Sequence, residues 1–260
     1  MGGTPDAPAP PPRDDHSLGG LLPFPLTRRS VVRAAGSADP DTRRRAFETL
    51  VAAYWKPVYK YLRLKWRAPE EDAEDLTQGF FALAFEKGFF DRFDPGRARF
   101  RTYLRACLDG FVANEHKSAH RLKRGGGAEH VSLDFAGAEA ELGRQPPPEG
   151  DMEEYFHREW VRSLFGLAVE ALRRRCAEVG KTVSFALFER YDLDGPDAAR
   201  GPSYAELALE MGIPETQVTN HLAWARREFR RLVLEVLEEA TGSEEEFRAE
   251  ARQLLGVDPP

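Results

Sequence analysis

The sequence predicts an all-α fold of two small helical domains joined by an acidic, proline-containing linker, the second domain with a helix-turn-helix. Three observations predict it. Apolar residues recur at spacings of three and four through most of the chain, strand-like alternation is nearly absent, and a run of acids with Pro146-Pro147-Pro148 separates two helical regions.

Taken in order, residues 1–26 hold seven of the 19 prolines and four of the 22 glycines, a composition that cannot bury enough surface to offset chain ordering, so a disordered tail is expected. Its longest apolar run, Leu21 to Leu26, contains two prolines and is too short for a signal or membrane segment. A cytoplasmic protein without membrane attachment is expected. Residues 27–127 read as the first helical domain. Phe47, Leu50, Val51 and Tyr54 form one stripe, and Val58, Tyr61 and Leu62 continue it beyond a helix break expected at Pro57. Leu76, Phe80, Leu83 and Phe85 form a second stripe behind Glu70, Glu71, Asp72, Glu74 and Asp75, acids that suit a helix N-terminus. A third runs from Phe100 to Val112 and ends at Gly125-Gly126-Gly127. Residues 128–154 read as the acidic linker, 155–240 as the second domain, and 241–260, with Glu244, Glu245 and Glu246, as an acidic C-terminal extension.

Composition narrows the function. With 37 basic and 43 acidic side chains the net charge is -6, so any nucleic-acid surface is a local patch. Thirty of the 37 cations are Arg and Ile213 is the sole isoleucine, a bias that reflects GC-rich coding more than phosphate binding. Cys107 and Cys176, the two cysteines, lack metal-ligand spacing and fit a reducing compartment.

The most informative stretch is residues 203–232. Ala208, Gly212 and Val218 supply the small crossing residue, the turn glycine and the apolar pin that a helix-turn-helix needs. Ser203 with Glu206 makes a capping box, and Pro214 opens the second helix. Thr216, Gln217, Asn220 and His221 should then face outward, followed by Arg226 and Arg227. A second candidate surface lies at residues 97–124, where eight cations, among them Arg99, Arg101, Lys117, Arg121, Lys123 and Arg124, face two acids and interleave with Phe100, Tyr103 and Phe111. Cations with aromatic faces suit single-stranded nucleic acid. The local charge of +6 is matched by the nearby acidic run, which predicts poor DNA binding by the free chain.

Together, AYWKPVYKYLR (53–63), PEEDAEDLTQGFF (69–81), FDPGRARFRTYLRACLDGFVANEHKSAHRLKRGGG (93–127) and the helix-turn-helix resemble bacterial RNA polymerase sigma factors of the extracytoplasmic-function type. The resemblance covers both domains. It implies that Asp72, Asp75, Leu76, Gln78 and Phe81 dock on the beta-prime clamp helices of RNA polymerase core. It further implies that Arg99, Arg101, Tyr103, Lys117, Arg121, Lys123 and Arg124 meet the minus-ten strand, and that Thr216, Gln217, Asn220, His221, Arg226 and Arg227 read the minus-35 duplex. Tyr103 stands where many members have tryptophan, a smaller stacking face. Core polymerase and promoter DNA are the partners implied, with an anti-sigma factor or other regulator as a further one.

No enzyme is expected, and no cofactor or metal. Gly180-Lys181-Thr182 lacks the upstream glycine of a phosphate loop, since Arg175 stands there. His116 and His120 lie at i and i+4 in a cationic setting with no zincin glutamate. The alternative function is a free-standing helix-turn-helix regulator acting without core polymerase. A metal-dependent phosphodiesterase using the acidic and histidine clusters is a third, remote class.

Overall fold

The computed structural model describes residues 31–35, 37–118, 133–144, 150–194 and 201–259. Among the described residues the chain is all-α, with no strand, and no helix is long and apolar enough to cross a membrane.

After a short first helix, α1 (Val31–Ala34), Asp39 caps α2 (Pro40–Lys65) by accepting from the Thr42 N–H at 3.0 Å. Contrary to the break expected at Pro57, α2 is continuous through it. A proline inside a helix costs about 3 kcal/mol. Full burial of Tyr54, Val58, Tyr61 and Leu62 on either side offsets that cost. Helices α3 (Glu70–Glu86) and α4 (Phe100–Ser118) pack beside α2, linked by a 3-10 turn at Phe89–Arg92.

The acidic stretch is more than a linker. Within it lies α5 (Phe135–Gly143), capped by Asp134 and docked on α2, where Trp55 meets the Phe135 ring at 5.5 Å. Lys56, Lys60 and Arg63, spaced by four and three, form one cationic stripe on α2 that receives Glu141 and Glu139. The Arg63 hydrogen bond holds the Glu139 carboxyl below its ordinary value of 4.5. At Glu141 burial pushes the carboxyl up, but hydrogen bonds from Lys56 and Lys60 outweigh it, so the net direction is again down. Both groups therefore stabilise docking above their unfolded value and lose that contribution as pH falls through the folded ones. The thermal midpoint is expected to drop below about pH 4.5, and Glu139→Gln should flatten that acid limb in a melting series across the transition.

The remaining helices are α6 (Met152–Glu178), α7 (Thr182–Phe188), α8 (Tyr204–Met211), α9 (Glu215–Ala240) and α10 (Glu244–Leu255). At 27 and 26 residues, α6 and α9 are rods of about 40 Å. The principal core joins Leu50, Tyr54, Phe80, Phe100 and Leu108 to Trp160 and Leu164 of α6, Leu237 and Ala240 of α9, and Phe247 of α10. Described residues on both sides of the boundary expected at 128–154 thus share a core, because the two rods run from it into a second cluster. That cluster holds Leu172, Cys176, Phe185, Phe188, Ala225 and Val233. A third, smaller one holds Leu187, Leu207, Val218 and Leu222.

The C-terminal extension is likewise built in. Its turn passes so close to α4 that a Cβ on Gly242 would lie 2.2 Å from the Phe93 ring and 3.2 Å from Phe100 Cβ. Gly242→Ala is expected to cost about 1–3 kcal/mol through overpacking. Gly166→Ala, in mid-α6 with open space around its Cβ, should instead stabilise by about 0.5–1 kcal/mol through helix propensity. Paired thermal melts test the contrast; equal midpoints for the two variants would contradict it.

Candidate nucleic-acid interface

Helix α8 begins with the expected capping box: Ser203 Oγ accepts from the Glu206 N–H at 3.2 Å and Glu206 accepts from the Ser203 N–H at 2.6 Å. It ends where Gly212 adopts a left-handed φ of 65°, a conformation that costs glycine nothing. Pro214 then starts α9, and Val218 and Leu222 pin it against Leu187 and Leu207. Thr216, Gln217 and Asn220 are exposed in the first turns, with no side-chain partner among the described residues, and Arg227 follows on the same face two turns on.

Two residues expected beside them are engaged elsewhere. His221 is half-buried, its Nδ1 2.8 Å from Ser184 Oγ. Arg226 makes a forked pair with Asp192, at 3.0 and 2.8 Å, and covers the Tyr191 ring; the Asp192 hydrogen bonds raise its already high pKa. Each is corrected to a brace of α9 on its neighbours, because the helix turns these side chains toward α7 and the segment after it. Lys181, excluded above from a phosphate loop, stands at the start of α7 with its ammonium 5.0 Å from the Trp224 ring on α9, a contact that the sequence alone gives no sign of.

At the second surface the aromatics turn inward. Phe100 and Phe111 are buried, and Tyr103 is half-buried, its hydroxyl donating to the Phe89 carbonyl at 2.7 Å. Tyr103 is therefore a packing residue whose ring meets Phe93 at 5.4 Å, not an open stacking face. Arg99 and Arg101 both donate to Glu250 of α10, and Arg101 also covers the Trp160 ring at 5.2 Å. Arg105 pairs with Glu153 at 3.1 Å. Arg99 and Arg101 are thus held by Glu250, and of the acidic run Glu153 meets this surface while Glu139 and Glu141 meet α2 instead. Lys117 lies in the last turn of α4, but its side chain, like Arg121, Lys123 and Arg124, falls outside the described residues.

The third candidate surface is α3. Asp72 and Asp75 are exposed and have no hydrogen bond or ion pair among the described residues; Leu76 and Gln78 are half-buried beside them. Phe81 is corrected to a core residue, 4 % exposed and edge-on to Phe80 and Phe47, since its helical phase points it at α2. The exposed aromatic is Phe85, one turn on, with the Arg43 guanidinium 4.6 Å above its ring.

Between α3 and α4 a cleft of about 300 Å³ is lined by Leu83, Phe89, Arg92, Tyr103, Cys107 and Phe111. Burial pushes the Cys107 thiol up, away from nucleophilic use. Among the described residues no group of three or more His, Cys, Asp or Glu could hold a metal ion. Compared with models of protein families, with curated proteins and with solved structures, the chain has no significant match.

Proposed function

We propose that the chain is a sigma-type transcription initiation factor, which docks on RNA polymerase core through α3, reads promoter duplex with the start of α9 and engages the opened strand along α4. The observation that carries this reading is the face of α3: Asp72 and Asp75 stand unpaired beside half-buried Leu76. Carboxylates left open next to apolar surface suit a cationic helical partner. The open face of α9 on the same chain supplies what a base-reading helix needs, since Gln and Asn side chains can bond base edges in the major groove.

Binding to purified core, followed by transcription from a promoter library, tests the proposal. Core-dependent, promoter-selective initiation is expected; absence of core binding would overturn it. One observation favours the free-standing regulator: Thr216, Gln217 and Asn220 are already exposed and unpaired while Arg99 and Arg101 are both engaged by Glu250. Selective duplex binding without core, and no effect of core upon it, would establish that second reading.

The two kinds of side chain on α9 should fail differently. Gln217→Ala or Asn220→Ala is expected to relax sequence preference by about 1–3 kcal/mol per lost contact. Arg227→Ala should weaken all sequences alike and lower the salt slope by about one unit. Competition binding against a randomised duplex pool separates them; uniform loss from Gln217→Ala would remove it from base readout.

A further inference from the structure

The N-terminal end of α4 combines three features that favour an anion: the open end of a 19-residue helix, Arg99 and Arg101. In this structure α10 fills that place with two carboxylates one turn apart. Glu246 accepts from the Phe100 N–H at 2.9 and 3.1 Å, and also from the Gly242 N–H at 2.9 Å. Glu250 receives Arg99 and Arg101 on one oxygen. Its other oxygen, Oε2, is buried without a hydrogen-bond partner among the described residues. A buried carboxylate with one satisfied oxygen is a poor permanent core group, because the unmatched oxygen keeps its desolvation penalty.

The apolar hold on α10 is narrow: Phe247 and Ala251 are buried and Leu254 and Leu255 are partly buried against the two larger clusters, while Glu244, Glu245, Arg248 and Arg252 lie in solvent. At twelve residues the segment is marginal as a helix by itself. Burial pushes the Glu246 carboxyl up, which adds to the cost of keeping it ionised in place.

We propose that α10 is an intramolecular competitor, occupying on α4 the place of nucleic-acid phosphates, so that the free chain is closed to single-stranded DNA and opens when α10 leaves. This rests on the reading of α4 as the strand-contacting element and adds its regulation. A tethered competitor acts at an effective concentration in the millimolar range, sufficient against weak nonspecific binding and insufficient against a specific complex.

The test uses the full chain, a labelled single-stranded DNA dodecamer and fluorescence anisotropy, with amide exchange followed at residues 244–255. Glu250→Gln removes the charge and keeps the shape. It should speed exchange across α10, leave α6 protected and tighten dodecamer binding at least tenfold. Adding Arg101→Ala to Glu250→Gln should abolish the gain. Phe247→Ala, which loosens α10 without touching its charges, should act in the same direction. Faster α10 exchange with unchanged dodecamer affinity in both variants would overturn the proposal, as would a gain that survives Arg101→Ala. Core-directed transcription separates this from the parent reading. A chain that supports initiation but shows no gain on α10 release sinks the competitor alone; one that binds neither core nor DNA in any form sinks both.

Discussion

Lys60→Ala is expected to destabilise the fold by about 3–5 kcal/mol, the range for removing one partner of a buried ion pair. The Lys60 and Glu159 side chains are each 1 % exposed, and their charged atoms lie 2.7 Å apart. Without the ammonium, Glu159 keeps only Arg162, itself 57 % exposed, and Glu141 loses the partner at 2.8 Å that helps dock α5. The attraction between the two charges is not what makes the loss large. Desolvation of the abandoned carboxylate is, so Lys60→Met combined with Glu159→Leu should recover most of it. Denaturant titration of the three proteins reads this. A Lys60→Ala loss below about 1 kcal/mol would mean that water reaches Glu159 and the site is not sealed. The pair matters to function because it fixes α6 on α2. Through α6 it positions α9, whose exposed first turns are the candidate reading head.

Where the sequence was legible, the reason is local. The Ser203–Glu206 capping box, the Gly212 turn and the Val218 pin all act within about one or two helical turns, and the structure holds them as spaced. The all-helical class follows from periodicity, which is a property of each element alone. Long-range partnerships were not legible. Nothing around Arg97-Ala98-Arg99 supplies a cap for α4; the acceptor is Glu246, 146 positions away. Charge composition could not separate a solvated acidic run from one opposite a matching stripe. The stripe of Lys56, Lys60 and Arg63 was nevertheless visible at spacings of four and three. Phe81 and Phe85 show the same limit: they stand one turn apart on α3, and only the direction of α2 decides which is core.

Asp75→Arg is expected to weaken core polymerase binding by about 2–5 kcal/mol, the cost of reversing a charge at a partly desolvated contact. That is about 30-fold to a few thousand-fold in affinity. The fold should hardly notice: Asp75 is exposed and unpartnered, and such substitutions usually fall within about 0.5 kcal/mol. Stability and binding therefore come apart in this variant, as they would not for Phe81→Ala, whose buried ring supports α2. Asp72 sits one turn before Asp75 on the same face, so Asp72→Asn should give a smaller loss in the same direction. The loss should shrink as salt rises if the contact lies at a wetted rim, and persist if Leu76 and Phe85 bury it. Titration of labelled core with each variant, alongside its melting curve, decides the matter. Unchanged core affinity in a folded Asp75→Arg chain would remove α3 as the docking face and leave its open carboxylates as plain solvated charge.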